Sequence, residues 1–292
     1  MKKPLFVFLA AWACCVYQQN LSAADPVPFK AVIVGSGPPM ILIPGLTCGS
    51  NVWDGTVAHF KDRYQCHVLT LAGFAGQPAI DGPFLEKARD GIVRYIHEQK
   101  LNHPVIIGHS LGGMMAFWVA ETAPAEVGPI ISVDGVPFFS ALMDPTATHE
   151  STLPMAEQTR AMYAGLTADQ HSVNNRQFFS MMITASSNVD KVASLSDKSD
   201  PKAVGQAFYE LVTTDLRPGL KSIQAPVLLI GSDAMATNEA EKAQTHQAYS
   251  AQIATVPHHK LVFAPTARHF IQLDDPDFFY RETDTFLKEN QK

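Results

Sequence analysis

The chain has 292 residues, 46% of them apolar and 17% charged, with 18 glycines and 20 prolines. These proportions are globular and exclude a dominant disordered, collagenous or coiled-coil state. The length suits one large domain, or one domain with an insertion, and can bury a core without disulfides. A net charge of −6, with no basic run beyond Lys2-Lys3, argues against nucleic acid as a partner.

Lys2 and Lys3 precede an uncharged apolar run from Leu5 to Tyr17, then polar Gln18, Gln19 and Asn20, then Ser22-Ala23-Ala24. This is the charged start, apolar segment and small-residue cleavage site of a signal peptide, with cleavage expected after Ala24. The run is shorter than the ~20 residues of a membrane span. Residues 1–24 are therefore expected to be removed, leaving a periplasmic or secreted chain with no stable membrane anchor. Cys14 and Cys15 leave with that segment. Cys48 and Cys66 remain, too few for a disulfide framework.

Strand and helix patterns alternate along the rest of the chain. Val32-Ile33-Val34 and Met40-Ile41-Leu42-Ile43 read as strands, and Gly35-Ser36-Gly37 between them predicts an antiparallel pair. Residues 51–62 carry Trp53, Val57 and Phe60 at helical spacing. Val68 to Leu71 reads as a strand. From Phe84 to Gln99, Leu85, Ala88, Ile92, Tyr95 and Ile96 share one helical face. Val105 to Ile107 is the next strand, Leu111 to Glu121 a helix, and Ile130 to Val133 a strand. Val227 to Ile230 and Leu261 to Phe263 complete the strands, and Phe278 to Glu289 is a closing helix. Such alternation implies an α/β fold, a mostly parallel, doubly wound sheet with helices on both faces. Residues 137–222 break it. They hold helix-like pieces, five methionines (Met143, Met155, Met162, Met181 and Met182) and no clear buried strand. The expected organisation is a core of 25–136 and 223–292 with 137–222 inserted as a helical lid.

Gly108-His109-Ser110-Leu111-Gly112 fits G-x-S-x-G. A strand leads directly into it and a helix opens directly from it, which is the context in which such a serine is lifted above the strand ends on a strained turn. The helix start places the Leu111 N–H where negative charge would develop. No H-E-x-x-H or similar spacing occurs, so neither metal nor other cofactor is expected.

A nucleophilic serine needs a base. His269 lies beyond the last strand in Ala267-Arg268-His269-Phe270, leading into the closing helix. With the elbow and the strand order, the chain here resembles the α/β-hydrolase superfamily over residues 29–290. That resemblance implies Ser110 as nucleophile and His269 as general base. It also implies a second oxyanion donor after the strand Met40–Ile43, by position the N–H of Leu46 in Pro44-Gly45-Leu46-Thr47. Family members often have His-Gly there, but a backbone donor survives the exchange to Pro. The acid that orients the base is either Asp134, after the strand at Ile130–Val133, or Asp233, after Val227–Ile230. The second strand is the more usual carrier, but the family pattern there is Gly-x-x-Asp, and Gly231-Ser232-Asp233 is one residue short. Asp274 and Asp275 read as cap residues beside Pro276.

Cys48 follows a strand at the expected active end of the sheet, and Cys66 precedes one at the other end. Ends of strands this long lie ~13–17 Å apart, whereas a disulfide needs Cα atoms within ~4.4–6.8 Å. The resemblance implies a serine hydrolase acting through an acyl-enzyme on a small-molecule acyl substrate, a carboxylic ester, lactone or thioester. The signal segment adds the expectation of export, and the apolar lid that of a substrate with an apolar portion. An amidase or peptidase on the same triad, or a hydrolase-like binding protein without turnover, are the alternatives. A serine nucleophile argues against dehalogenation, which needs a carboxylate in that place.

Overall fold

The computed structural model describes residues 28–290. The expected signal peptide lies outside the described residues. Among the described residues seven strands form one sheet: β1 (Phe29–Val34), β2 (Pro39–Ile43), β3 (Gln65–Leu71), β4 (Val105–His109), β5 (Ile130–Val133), β6 (Val227–Ser232) and β7 (His259–Ala264). Their order is β1-β3-β2-β4-β5-β6-β7. Every pairing is parallel except that of β1 with β3.

The helices are α1 (Asp54–Phe60), α2 (Phe84–Glu98), α3 (Leu111–Thr122), α4 (Ser140–Met143), α5 (His149–Ala164), α6 (Ala168–Met182), α7 (Ser186–Ser196), α8 (Pro201–Thr213), α9 (Glu239–Ile253), α10 (Ile271–Asp274) and α11 (Pro276–Glu289). Successive strand residues point to opposite faces, and the core divides accordingly. Ile41, Ile43, Leu69, Leu71, Ile106, Val227 and Leu229 pack with side chains of α2, α3 and α9. Met40, Leu42, Cys66, Val68, Ile107, Leu228 and Ile230 pack with Trp53, Phe60, Phe279 and Phe286 on the other face. The near-continuous apolar runs of the sequence are therefore strands buried on both sides.

One pairing differs from the expectation. β1 does not pair with β2; β3 lies between them. Gly35 and Gly37 take φ of 87° and 120°, and a Cβ on Gly35 would run into the carbonyls of Lys61 and Tyr64. Ser36 N donates to Lys61 O (3.3 Å), and Gln65 N donates to Pro38 O (3.0 Å). The glycine segment thus steps across the turn that leads into β3 instead of closing a hairpin. β3 is buried at every residue but Gln65 and needs hydrogen-bonded neighbours on both edges. β1, with Val32 and Ile33 exposed, serves as the edge.

β3 also begins earlier than the apolar pattern suggests, so Cys66 lies inside the strand, paired with Met40 across the ladder. Cys48 and Cys66 are both buried free thiols. Burial pushes the Cys48 thiol up to about 12.

Between β5 and β6 the chain leaves the sheet and forms α4 to α8, where α5 packs on α8 and α6 on α7. Met143, Met155, Met162 and Met181 are exposed. Among the described residues no helix is long and apolar enough to cross a membrane.

Candidate active site

β4 ends at His109 and α3 begins at Leu111, leaving Ser110 alone to turn the chain. Its φ of 54° and ψ of −119° are strained for a residue with a side chain. Ser110 N donates to Val133 O (2.9 Å), and Gly113 N donates to Ser110 O (2.8 Å), which locks the turn. The glycines are steric necessities. A Cβ on Gly108 would strike the Gly112 carbonyl, one on Gly112 the carbonyls of Ile43 and Pro44, and one on Gly113 the Ser132 hydroxyl. Ser110 Oγ makes no hydrogen bond with the described residues. The N–H groups of Leu46 and Leu111 likewise have no acceptor there. The Leu111 N–H is one of the free donors at a helix start.

His269 Nδ1 and Asp134 Oδ2 are 2.7 Å apart. A carboxylate only accepts, so Nδ1 carries the proton and the Nε2 lone pair stays available. Asp134 follows β5 at a φ of 51°. Its other oxygen, Oδ1, accepts from Tyr249 Oη (2.6 Å) and from Ser232 N (3.0 Å). Burial, then the Asp134 charge, drives the Tyr249 phenol well above its ordinary value, so it remains a donor.

Asp233 lies elsewhere. Its Oδ2 is 2.9 Å from His246 Nε2, and the His246 ring stacks on Phe263 with centroids 3.8 Å apart. α9 sorts the two carboxylates. It presents His246 and Tyr249 one turn apart, and the first takes Asp233 while the second takes Asp134. Ser232 ends β6, where its N–H meets Asp134 and its hydroxyl donates to Ala267 O (2.6 Å).

His109, just before Ser110, ties His269 to the elbow. Its Nε2 donates to His269 O (3.1 Å), and the two rings lie 4.7 Å apart. Burial, reinforced by His269, holds the His109 imidazole well below its ordinary value, so it is neutral. Asp275 caps α11, accepting from Phe278 N (3.1 Å), as expected for a cap residue. Asp274 does not cap that helix. Its carboxylate accepts from Arg268 N (3.1 Å), Thr184 N (3.0 Å) and Thr184 Oγ1 (3.0 Å), joining the His269 loop to the segment between α6 and α7. Tyr249 escapes sequence reasoning because it sits in no local motif and meets Asp134 from 115 residues away. His109 lies inside the elbow motif and Asp274 beside the closing helix, but their partners His269 and Thr184 come from distant parts of the chain.

A seven-stranded, mostly parallel sheet with a strained serine between β4 and α3 and an aspartate–histidine pair at the neighbouring strand ends defines the α/β-hydrolase class. The sequence profile of the Alpha/beta hydrolase family matches residues 40–282, and the chain belongs to that family. Among relatives, the pimeloyl-acyl-carrier protein methyl ester esterase of Nitrosomonas europaea is 27% identical over 255 residues, covering 84% of this chain and 94% of its own. The enol-lactonase of Burkholderia xenovorans superposes with a TM-score of 0.70 at 16% identity, covering 89% of this chain and 96% of its own. The thermophilic esterase of Thermogutta terrifontis superposes with a TM-score of 0.68 at 20% identity, covering 90% and 94% respectively.

Proposed function

We propose that this chain is a serine hydrolase that cleaves a carboxylic ester, lactone or thioester through an acyl-enzyme, with Ser110 as nucleophile, His269 as general base and Asp134 as the acid. The observation that carries this reading is the 2.7 Å contact between His269 Nδ1 and Asp134 Oδ2 beside an elbow serine whose hydroxyl is unengaged. In the first half-reaction His269 Nε2 takes the Ser110 proton as Oγ attacks the acyl carbon. Asp134 stabilises the imidazolium, and the N–H groups of Leu46 and Leu111 receive the oxyanion. His269 then protonates the leaving alcohol, and a water activated by the same base releases the acid. The names of the relatives, two esterases and a lactonase, support an acyl oxygen ester or lactone over an amide. The charged start and apolar run of residues 1–24 support export to the periplasm or beyond.

The test is a fluorophosphonate serine probe together with p-nitrophenyl esters of increasing acyl length, applied to the purified mature chain. The parent is expected to label and to turn over, and Ser110→Ala to do neither at an unchanged fold. A parent that fails to label would leave a binding protein as the better description. Mass spectrometry of protein exported by a bacterial host is expected to lack residues 1–24.

A further inference from the structure

The loops after β2 and β3 are both bent by residues that rarely adopt such a backbone. Gly45 to Cys48 forms a tight turn closed by Cys48 N donating to Gly45 O (3.1 Å). Its third residue, Thr47, has a φ of 61°. That position ordinarily takes glycine or asparagine, and a β-branched residue there is an outlier that persists only where its surroundings hold it. In the second loop Ala75 has a φ of 47°.

The lid supplies what holds them. The segment between α7 and α8 runs alongside both loops: Gly76 N donates to Lys198 O (3.1 Å) and Asp200 N donates to Gly73 O (2.8 Å). At its centre Ser199, only 4% exposed, uses its hydroxyl in both senses. Ser199 Oγ donates to Thr47 O (2.9 Å) and accepts from Ala75 N (2.9 Å). A longer contact, Thr47 Oγ1 to Ser196 O (3.5 Å), runs parallel. One hydroxyl therefore pins two left-handed residues, and one of them lies next to Leu46.

We propose that Ser199 is a positioning residue for the oxyanion site: the lid delivers its hydroxyl to the Thr47 carbonyl, and this keeps the turn in the one conformation that aims the Leu46 N–H at the oxyanion. In this role Ser199 acts through the turn, its hydroxyl being engaged by Thr47 O and Ala75 N. The proposal rests on the hydrolase reading above. It goes beyond that reading by making the lid a structural part of the oxyanion site rather than a cover alone. A loss confined to the oxyanion appears in the transition state and not in substrate binding.

The experiment compares the parent, Ser199→Ala and Ser199→Ala/Thr47→Gly on a p-nitrophenyl ester, with affinity for an alkylboronic acid measured alongside. The boronate's tetrahedral serine adduct presents an oxyanion. Removing an oxyanion donor outright costs roughly 100-fold or more in kcat, and a displaced one less. Ser199→Ala is therefore expected to lose about tenfold in kcat, with KM within about twofold and boronate affinity weakened in parallel. Glycine adopts the Thr47 conformation unaided, so the double variant is expected to recover most of the loss. Should Ser199→Ala not fold, Ser199→Cys, with its weak donor, reads the same change. An active parent whose Ser199 variants keep kcat and boronate affinity, or lose activity through KM alone, overturns this inference and leaves the hydrolase reading intact. A parent that neither labels with a serine probe nor turns over esters overturns both.

Discussion

His269 and Asp134 stand 135 residues apart in the chain and 2.7 Å apart in space, and the aspartate comes from β5 rather than from the neighbouring β6. Asp233, at the end of β6, is occupied by His246 instead. Asp134→Asn is expected to lower kcat by about 10⁴, the scale seen when such a triad loses its charge and tautomer control. Asp233→Asn is expected to stay within about tenfold, about 1.4 kcal/mol on the transition-state scale, since its carboxylate meets His246 and not His269. Steady-state kinetics on both variants decide it, and equal losses would undo the assignment.

Tyr249 donates one of three hydrogen bonds to the Asp134 carboxylate. Tyr249→Phe keeps the packing against Phe263 and removes only the donor. The expected cost is about 1 kcal/mol of transition-state stabilisation, or roughly fivefold in kcat. KM should be unchanged. A loss in KM alone would mean that the phenol serves the substrate pocket rather than the acid.

Asp274 fastens the His269 loop to the lid through Arg268 N and Thr184. Asp274→Ala leaves those donors to water. A loss of about 1 kcal/mol in stability, roughly 2–4 °C in Tm, is expected. Asp274→Asn, which keeps one acceptor oxygen, should recover part of it. Thermal melts of the two variants measure the difference, and identical melts would show that the clasp contributes nothing.

Stability should depend on pH through the buried histidines. Burial, with His269 as the lesser cause, holds His109 well below 6.5 in the folded chain, and burial lowers His67 and His171 as well. Below about 6.5 the unfolded chain takes up protons that the native state refuses. Stability is therefore complete above that pH and is lost as the pH falls, by at most about 1.4 kcal/mol per pH unit for each such group. Denaturant unfolding from pH 8 to pH 5 should show a plateau and then a decline. His109→Gln keeps a donor for the His269 carbonyl and should make the decline shallower. An unchanged slope in that variant would exclude His109 as a source.

What the sequence determined by itself was whatever depends on neighbours in the chain. Buried strands announce themselves as apolar runs, because both faces of the sheet are covered. The elbow is legible because a strand, a strained turn and a helix start follow one another within a few residues, and each demands its own residue type. The insertion between β5 and β6 shows as a break in that alternation. Tertiary structure alone decided the rest. Asp134 and Asp233 end adjacent strands in similar local settings, and what separates them is which one α9 meets with Tyr249 and which with His246. The glycines after β1 look like a hairpin until Lys61 and Tyr64 are packed beneath them. Ser199 is an ordinary serine between two helices until its hydroxyl meets Thr47, 152 residues earlier in the chain. Hydrophobic periodicity repeats over a few residues and can be read along a line, whereas a hydrogen bond depends on ångström-scale placement of segments that the line keeps far apart.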